Sequence, residues 1–192
     1  FTDTDRETIC LLNNCMYCAW TMCINYTTYD VRRDCDLISP QTHPDVMVLS
    51  PEEGPRVHKF WYVGILGIFT ATVISSHGRR PQRMEFLWVR WFGIESGYNE
   101  GPRYARLPKI GIVPHDDPWA FGFLHPQCVV RGCHLIPAFC GGRTQDLLPI
   151  STPTVARLGP LKTDDWTNYY ISIFVDRDMM MRFFGGGIGH RA

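Results

Sequence analysis

The sequence has no apolar run long enough to cross a membrane as a helix. Its most apolar early stretch, ICLLNNCMYCAWTMCI from Ile9 to Ile24, is interrupted by Asn13 and Asn14. It falls short of the ~20 residues that a span requires. No signal-peptide pattern is present. There is no excess of charge: nineteen basic residues balance nineteen acidic ones. No overall field therefore draws the chain to nucleic acid or to an acidic membrane, and any such affinity has to be local. Internal repeats are absent. So is the short, loop-rich character of a secreted disulfide scaffold, since the eight cysteines sit in a chain as large as 192 residues. Reduced thiols are the expectation. The first residue is Phe1 rather than methionine, and a fragment of a longer product is expected.

What the chain does have is material for a core. It is 45% hydrophobic and 13% aromatic, enough for one domain with an added arm. The punctuation divides it into a Cys-rich N-terminal arm and linker over 1–44, a β domain over 45–184 and a Gly-rich tail over 185–192. Ile24 to Asp30 reads as a short strand, SPQTHPD from Ser39 to Asp45 as an extended loop, and Val46 to Leu49 as a short buried strand. FWYVGILGIFTATVI, from Phe60 to Ile74, is too rich in β-branched and aromatic residues for a helix. It predicts a long bent strand with Gly64 and Gly67 marking a bulge or a close backbone approach. KIGIV is a further strand candidate, Ala120 to Phe139 contributes one or two more, and Asp164 to Phe184 reads as a strand followed by a short helical turn.

The stretch EFLWVRWFG, from Glu85 to Gly93, returns antiparallel to that long strand. Alternation puts Phe86, Trp88, Arg90 and Phe92 on one side and Leu87, Val89 and Trp91 on the other. Neither set is an ordinary solvated face. One side should line a barrel interior, and the other should be covered by the N-terminal arm or the C-terminal segment. Arg90 is expected to reach a carboxylate such as Asp176 or Asp178. The fold class that follows is mainly β, a small barrel with short helical additions.

Cys15 and Cys18 have the two-residue spacing of half a zinc knuckle, with Cys10 and Cys23 flanking them. The second half of the motif is missing. Leu11, Leu12, Met16 and Trp20 among them suit an apolar packing segment, with the thiols as small buried hydrophobes. No metal and no cofactor is expected.

The order of strands carries a resemblance. Val63, Gly64, Ile65 and Ile68, then Val89, Arg90, Trp91 and Phe92, then Val130, Gly132, Cys133 and Leu135 match the pattern of the bromo-adjacent homology domain. That resemblance implies an SH3-like β-barrel and a chromatin setting. NYTTYDVRRDCD, THPDVMVL, FLWVRWFG, DPWAFGFLHP, RGCHLIPAF, FVDRDMMMRFF and GGGIGH also resemble a fungal protein family associated with KDZ-type mobile elements. This second resemblance runs from Asn25 to His190, brings no activity with it and implies a nuclear location.

A module of this kind can hold a methylated ammonium in an aromatic cage, and Trp61, Tyr62, Trp91 and Tyr98 are the candidates, with Glu95 or Glu100 as carboxylate. The alternative is that these rings fill the core. A local basic surface is offered by Arg79, Arg80 and Arg83 in the loop HGRRPQR, and by Arg103, Arg106 and Lys109 around Tyr104. With no net charge behind it, a solvated hairpin tip is the favoured account of this basic surface.

Enzyme readings have less to stand on. Cys133 and His134 are adjacent and point oppositely on a strand. His115, Asp116 and Asp117 suit a turn before Pro118. Asp34, Asp36, Asp164, Asp165, Asp176 and Asp178 are the carboxylates available to a two-metal nuclease, and nothing in their spacing brings them together. GGGIGH opens no helix, as a phosphate loop must. The expected function is a non-enzymatic interaction module with a protein or chromatin partner, nucleic acid being the alternative and membrane excluded.

Overall fold

A computed structural model describes residues 8–28, 30–54, 57–75, 80–148, 154–157 and 164–185. The protein is mainly β, and its principal sheet curls into a half-barrel with one short helix. In chain order the strands are β1 (Ile9–Ala19), β2 (Met22–Thr27), β3 (Arg33–Ile38), β4 (Asp45–Leu49), β5 (Phe60–Ser75), β6 (Gln82–Ile94) and β7 (Lys109–Ile112). They continue with β8 (Phe121–Leu124), β9 (Val129–Gly132), β10 (Leu135–Pro137), β11 (Arg143–Thr144), β12 (Asp165–Trp166) and β13 (Asn168–Ile171), before α1 (Arg177–Phe184).

The β5–β6 hairpin is the spine of the sheet, whose order is β10-β13-β7-β6-β5-β4-β9. Each long strand serves two partners along its outer edge. β5 pairs β4 through Phe60 to Gly64 and β1 through Ile68 to Ser75. β6 pairs β8 through Leu87 to Arg90 and β7 through Phe92 to Ile94. The register of β5 against β6 shifts between Ile65 and Gly67, so Leu66 has no opposite residue and the strand bends there. Glycine leaves room at this bend for the Phe69 ring: a Cβ on Gly67 would lie 2.5 Å from Cε2 of Phe69, which would have to turn aside.

Both faces of the half of the spine away from the β5–β6 turn are covered. Val63, Ile65, Leu87 and Val89 form one core with Ile38, Val46 and Val129, and Met22 and Ile24 of the β2–β3 hairpin pack onto it. On the other face Phe60 and Tyr62 join Met47, Ile110, Ile171, Ile173 and Met179, with Phe92 packed against them. The segment read as an arm therefore adds one strand to the sheet and one hairpin to its cover. The C-terminal segment covers the opposite face through α1, whose N-cap is Asp176: its carboxylate accepts from the backbone N–H of Met179 at 2.6 Å.

Two expectations need correction. Arg90 does not reach Asp176 or Asp178. It donates from Nη2 to the carbonyl of Leu147 at 2.9 Å, and its nearest carboxylate is Asp165 at 3.9 Å. Asp176 and Asp178 are held by Arg131 instead. The cysteines of the N-terminal segment are not buried either. Cys10, Cys15 and Cys18 are exposed because β1 lies on a sheet edge that no core covers, and Cys23 is exposed on the outward side of β2.

Candidate functional site

Strand β1 is hydrogen-bonded into the sheet, yet each of its eleven residues is exposed. It extends the distal half of the β5–β6 hairpin into a three-stranded wing, and no described strand pairs its other edge. The register of β1 jumps between Leu11 and Met16, which face Val73 and Ala71 respectively. Leu12 to Cys15 therefore bulge away from β5, and Asn13 and Asn14 there have φ of 57° and 51°. Asparagine tolerates this left-handed conformation better than other side chains bearing a Cβ. The wing carries Leu11, Met16 and Tyr17, with Trp20 just beyond it; Tyr17 is 68% and Trp20 75% exposed. Such apolar surface on a strand with an open edge is uncommon in a protein that acts alone.

The four rings expected to form a cage do not converge. Trp61 and Trp91 meet edge to face with centroids 5.6 Å apart. Tyr62 alternates to the other side of β5, is fully buried and packs against His58. Its hydroxyl has no hydrogen-bond partner among the described residues, and burial pushes its pKa up. Tyr98 lies in the loop after β6, against Tyr170, with Arg106 and Lys109 each 5.7 Å from its ring. The protein's own cations thus occupy the surroundings of that ring. Both carboxylates proposed for the cage are engaged: Glu95 accepts from Asn168 Nδ2 at 2.8 Å, and Glu100 meets His58 Nε2 at 2.9 Å.

Of the basic candidates, Arg79 lies outside the described residues. Arg80 is exposed, and Arg83 pairs with Glu85 at 3.0 Å along the same strand. Arg103 stands over Tyr104 at 6.0 Å. Most of the glycine-rich segment from Gly185 to His190 is also outside the described residues. The neighbours Cys133 and His134 lie between β9 and β10, the first buried and the second exposed. His115 to Asp117 form a turn closed by the N–H of Asp117 donating to the carbonyl of Pro114 at 3.1 Å.

The candidate nuclease carboxylates are partly gathered, around an arginine. The guanidinium of Arg131 in β9 donates from Nε and Nη2 to Asp36, each at 3.0 Å. It donates from Nη1 to Asp178 at 2.8 Å and reaches Asp176 from Nη1 and Nη2 at 3.3 and 3.0 Å. All its donors are used. The ring of Tyr26 covers one face of the guanidinium, 3.6 Å from the ring centroid to Cζ. Arg182 adds a second cation on Asp178 at 2.7 Å. Burial disfavours the charge on Arg131, but the hydrogen bonds it donates to the three aspartates outweigh it and raise its pKa. Burial also opposes ionisation of Asp176, while the N–H of Met179 and the Arg131 guanidinium overcome it and hold the carboxyl below its usual range. Tyr26 is pushed up to about 12 by burial, with Arg131 opposing. Cations of the protein occupy the space between these carboxylates, so the node reads as a tie between β3, β9 and α1. Among the described residues no group of His, Cys, Asp and Glu has the disposition of a metal site.

Sequence reasoning missed this node because its members lie far apart along the chain. The only local signal was the Asp176-Arg177-Asp178 run, which reads equally as a helix cap. No family model, curated protein or solved structure matches the chain.

Proposed function

We propose that the protein is a non-enzymatic interaction module, and that the β1 wing is the surface on which it receives an extended segment of a chromatin protein. The carrying observation is a strand whose every residue is exposed although one of its edges is already paired. An open edge offers unpaired N–H and C=O groups to an incoming strand, and alternate apolar side chains supply contacts above and below. The bulge at Asn13 and Asn14 limits the uninterrupted edge to Met16 through Ala19, where Tyr17 and Cys18 alternate. A short extended peptide is the occupant that this length suits. The likeness of the β5, β6 and β9 motifs to the bromo-adjacent homology domain supports chromatin as the setting and the nucleus as the compartment. It does not require a methylated-lysine cage.

Titration of reconstituted nucleosome core particles with the protein, followed by fluorescence anisotropy, tests this reading. Saturable binding is expected, weakened at least tenfold by the double substitution Met16→Lys and Tyr17→Lys with the melting temperature unchanged. Absence of binding to nucleosomes and to free histones would remove chromatin as the setting. Binding that survives the double substitution would remove the wing as the surface. Methylated and unmethylated histone-tail peptides are expected to behave alike, and a preference for the methylated form would restore the cage.

A further inference from the structure

On the face of the spine away from the β2–β3 hairpin, a cavity of about 180 Å³ opens between Gly64 and Arg90 on one side and 155–157 with Asp164 to Trp166 on the other. Its polar lining is concentrated in Arg90, Arg143, Arg157, Asp164, Asp165 and Asp45. Most of these are satisfied by one another. Arg143 pairs with Asp164 at 3.1 Å, and Arg157 donates to Asp165 at 3.2 Å and to the carbonyl of Leu148 at 3.2 Å. Arg90 reaches no carboxylate within hydrogen-bond distance and has the carbonyl of Leu147 as its acceptor. It is only 5% exposed, its distance of 3.9 Å to Asp165 is too long for a hydrogen bond, and its Nε has no hydrogen-bond partner among the described residues. A buried guanidinium left short of acceptors carries a desolvation cost that an anion in the cavity would offset.

The remainder of the lining is apolar. Phe92, Ile112, Trp166 and Tyr169 line the same space, which suits a compact hydrocarbon body and not a fully hydrated oxyanion. A dry cavity of about 150 Å³ is known to accommodate a benzene ring, so the size fits a single ring or a short branched chain. Asp45 borders the cavity, and burial pushes its carboxyl up to about 7, so below that pH it does not repel an anion. From the buried, acceptor-poor Arg90 and this apolar enclosure we infer that the cavity binds a small free monocarboxylate with a compact apolar body, its carboxylate on Arg90. This site is separate from the β1 wing and does not depend on its role.

Calorimetric titration of the intact chain at low ionic strength with benzoate and with benzamide tests the inference. Benzoate is expected to bind saturably, and benzamide, of the same shape without the charge, at least tenfold more weakly, the scale of a lost charge-assisted hydrogen bond. Because Arg90 also braces the fold through Leu147, this comparison on the parent protein decides the charge requirement without a variant. Gly64→Val locates the site. A Cβ at Gly64 meets nothing closer than 3.5 Å, at Asp45 Oδ1. The added methyl groups would enter the cavity and abolish benzoate binding. No saturable benzoate binding, equal binding of benzamide, or full binding by a folded Gly64→Val protein would each overturn the proposal.

Discussion

The guanidinium of Arg131 and the carboxylate of Asp36 meet side-on, through Nε and Nη2 at 3.0 Å each, across 95 residues of sequence. Asp36 also accepts from the N–H of Gly132 at 2.8 Å, so the carboxylate holds both the side chain and the backbone of β9. A hairpin that rests on the sheet through Met22, Ile24 and Ile38 is thereby fixed to it, and through Asp176 and Asp178 to α1 as well. Replacing Arg131 with Met should leave three carboxylates facing one another with Arg182 as the nearest described cation. A loss of roughly 3 to 5 kcal/mol is expected, the scale for breaking a buried ion pair by removing one partner. Urea denaturation of the variant checks it, and Asp36→Asn should cost less because two carboxylates then remain on the arginine. A loss below about 1 kcal/mol for Arg131→Met would mean that water replaces the guanidinium without penalty.

Asp45 sets a second expectation, in pH. Burial raises its pKa from 3.8 to about 7, so the folded protein retains a proton that the unfolded chain gives up. Its favourable contribution is complete below about pH 4 and is lost as the pH rises towards 7. Asp45→Asn keeps the neutral form at every pH. The variant should match the parent near pH 3.5 and exceed its stability at pH 8 by on the order of 2 kcal/mol, about half the ideal linkage value because the residue keeps some contact with solvent. Chemical denaturation at the two pH values is the measurement. Equal stability of the two proteins at pH 8 would show that Asp45 ionises there without strain. Asp176, whose pKa is depressed, acts in the opposite direction. Its contribution is present above the unfolded value and is lost as the pH falls through the folded one.

These two groups mark where sequence reasoning stopped. The β5–β6 hairpin was legible because β-branched and aromatic runs with internal glycines have few other ways to fold, and Leu87, Val89 and Phe92 do enter cores on the two faces the alternation assigned. The short helix at the end was legible in outline, and its N-cap is Asp176. The partner of Arg90 was not legible, since an arginine of its length reaches several carboxylates and only the closed fold selects among them. The exposure of the N-terminal cysteines was hidden for a related reason. Leu11, Leu12 and Met16 have the composition of a packing segment, and no local rule states that the strand they form will lie where nothing packs.

The last prediction concerns the bend that positions the wing. A Cβ at Gly67 would stand 2.5 and 2.6 Å from Cε2 and Cζ of Phe69. Those atoms are the far end of a side chain that can rotate, so Gly67→Ala should displace the ring and not break the strand. The displaced ring gives up its stacking on Phe86, now 5.6 Å between centroids. A cost of about 1 to 2 kcal/mol is expected from the overpacking and the lost aromatic pair. In a Phe69→Ala background the same substitution meets no ring and should cost a few tenths of that, so the double-mutant cycle isolates the clash. Phe69 faces Cys18 of β1 across the ladder, and Thr70 and Ala71 face Tyr17 and Met16. A rotated Phe69 therefore loosens the pairing on which the wing depends. Hydrogen exchange at the amides of Met16 to Ala19 should accelerate in Gly67→Ala while that of β7 and β13 stays unchanged. Uniform acceleration across the sheet would mean that the bend is part of the global core and that the wing has no local stability of its own.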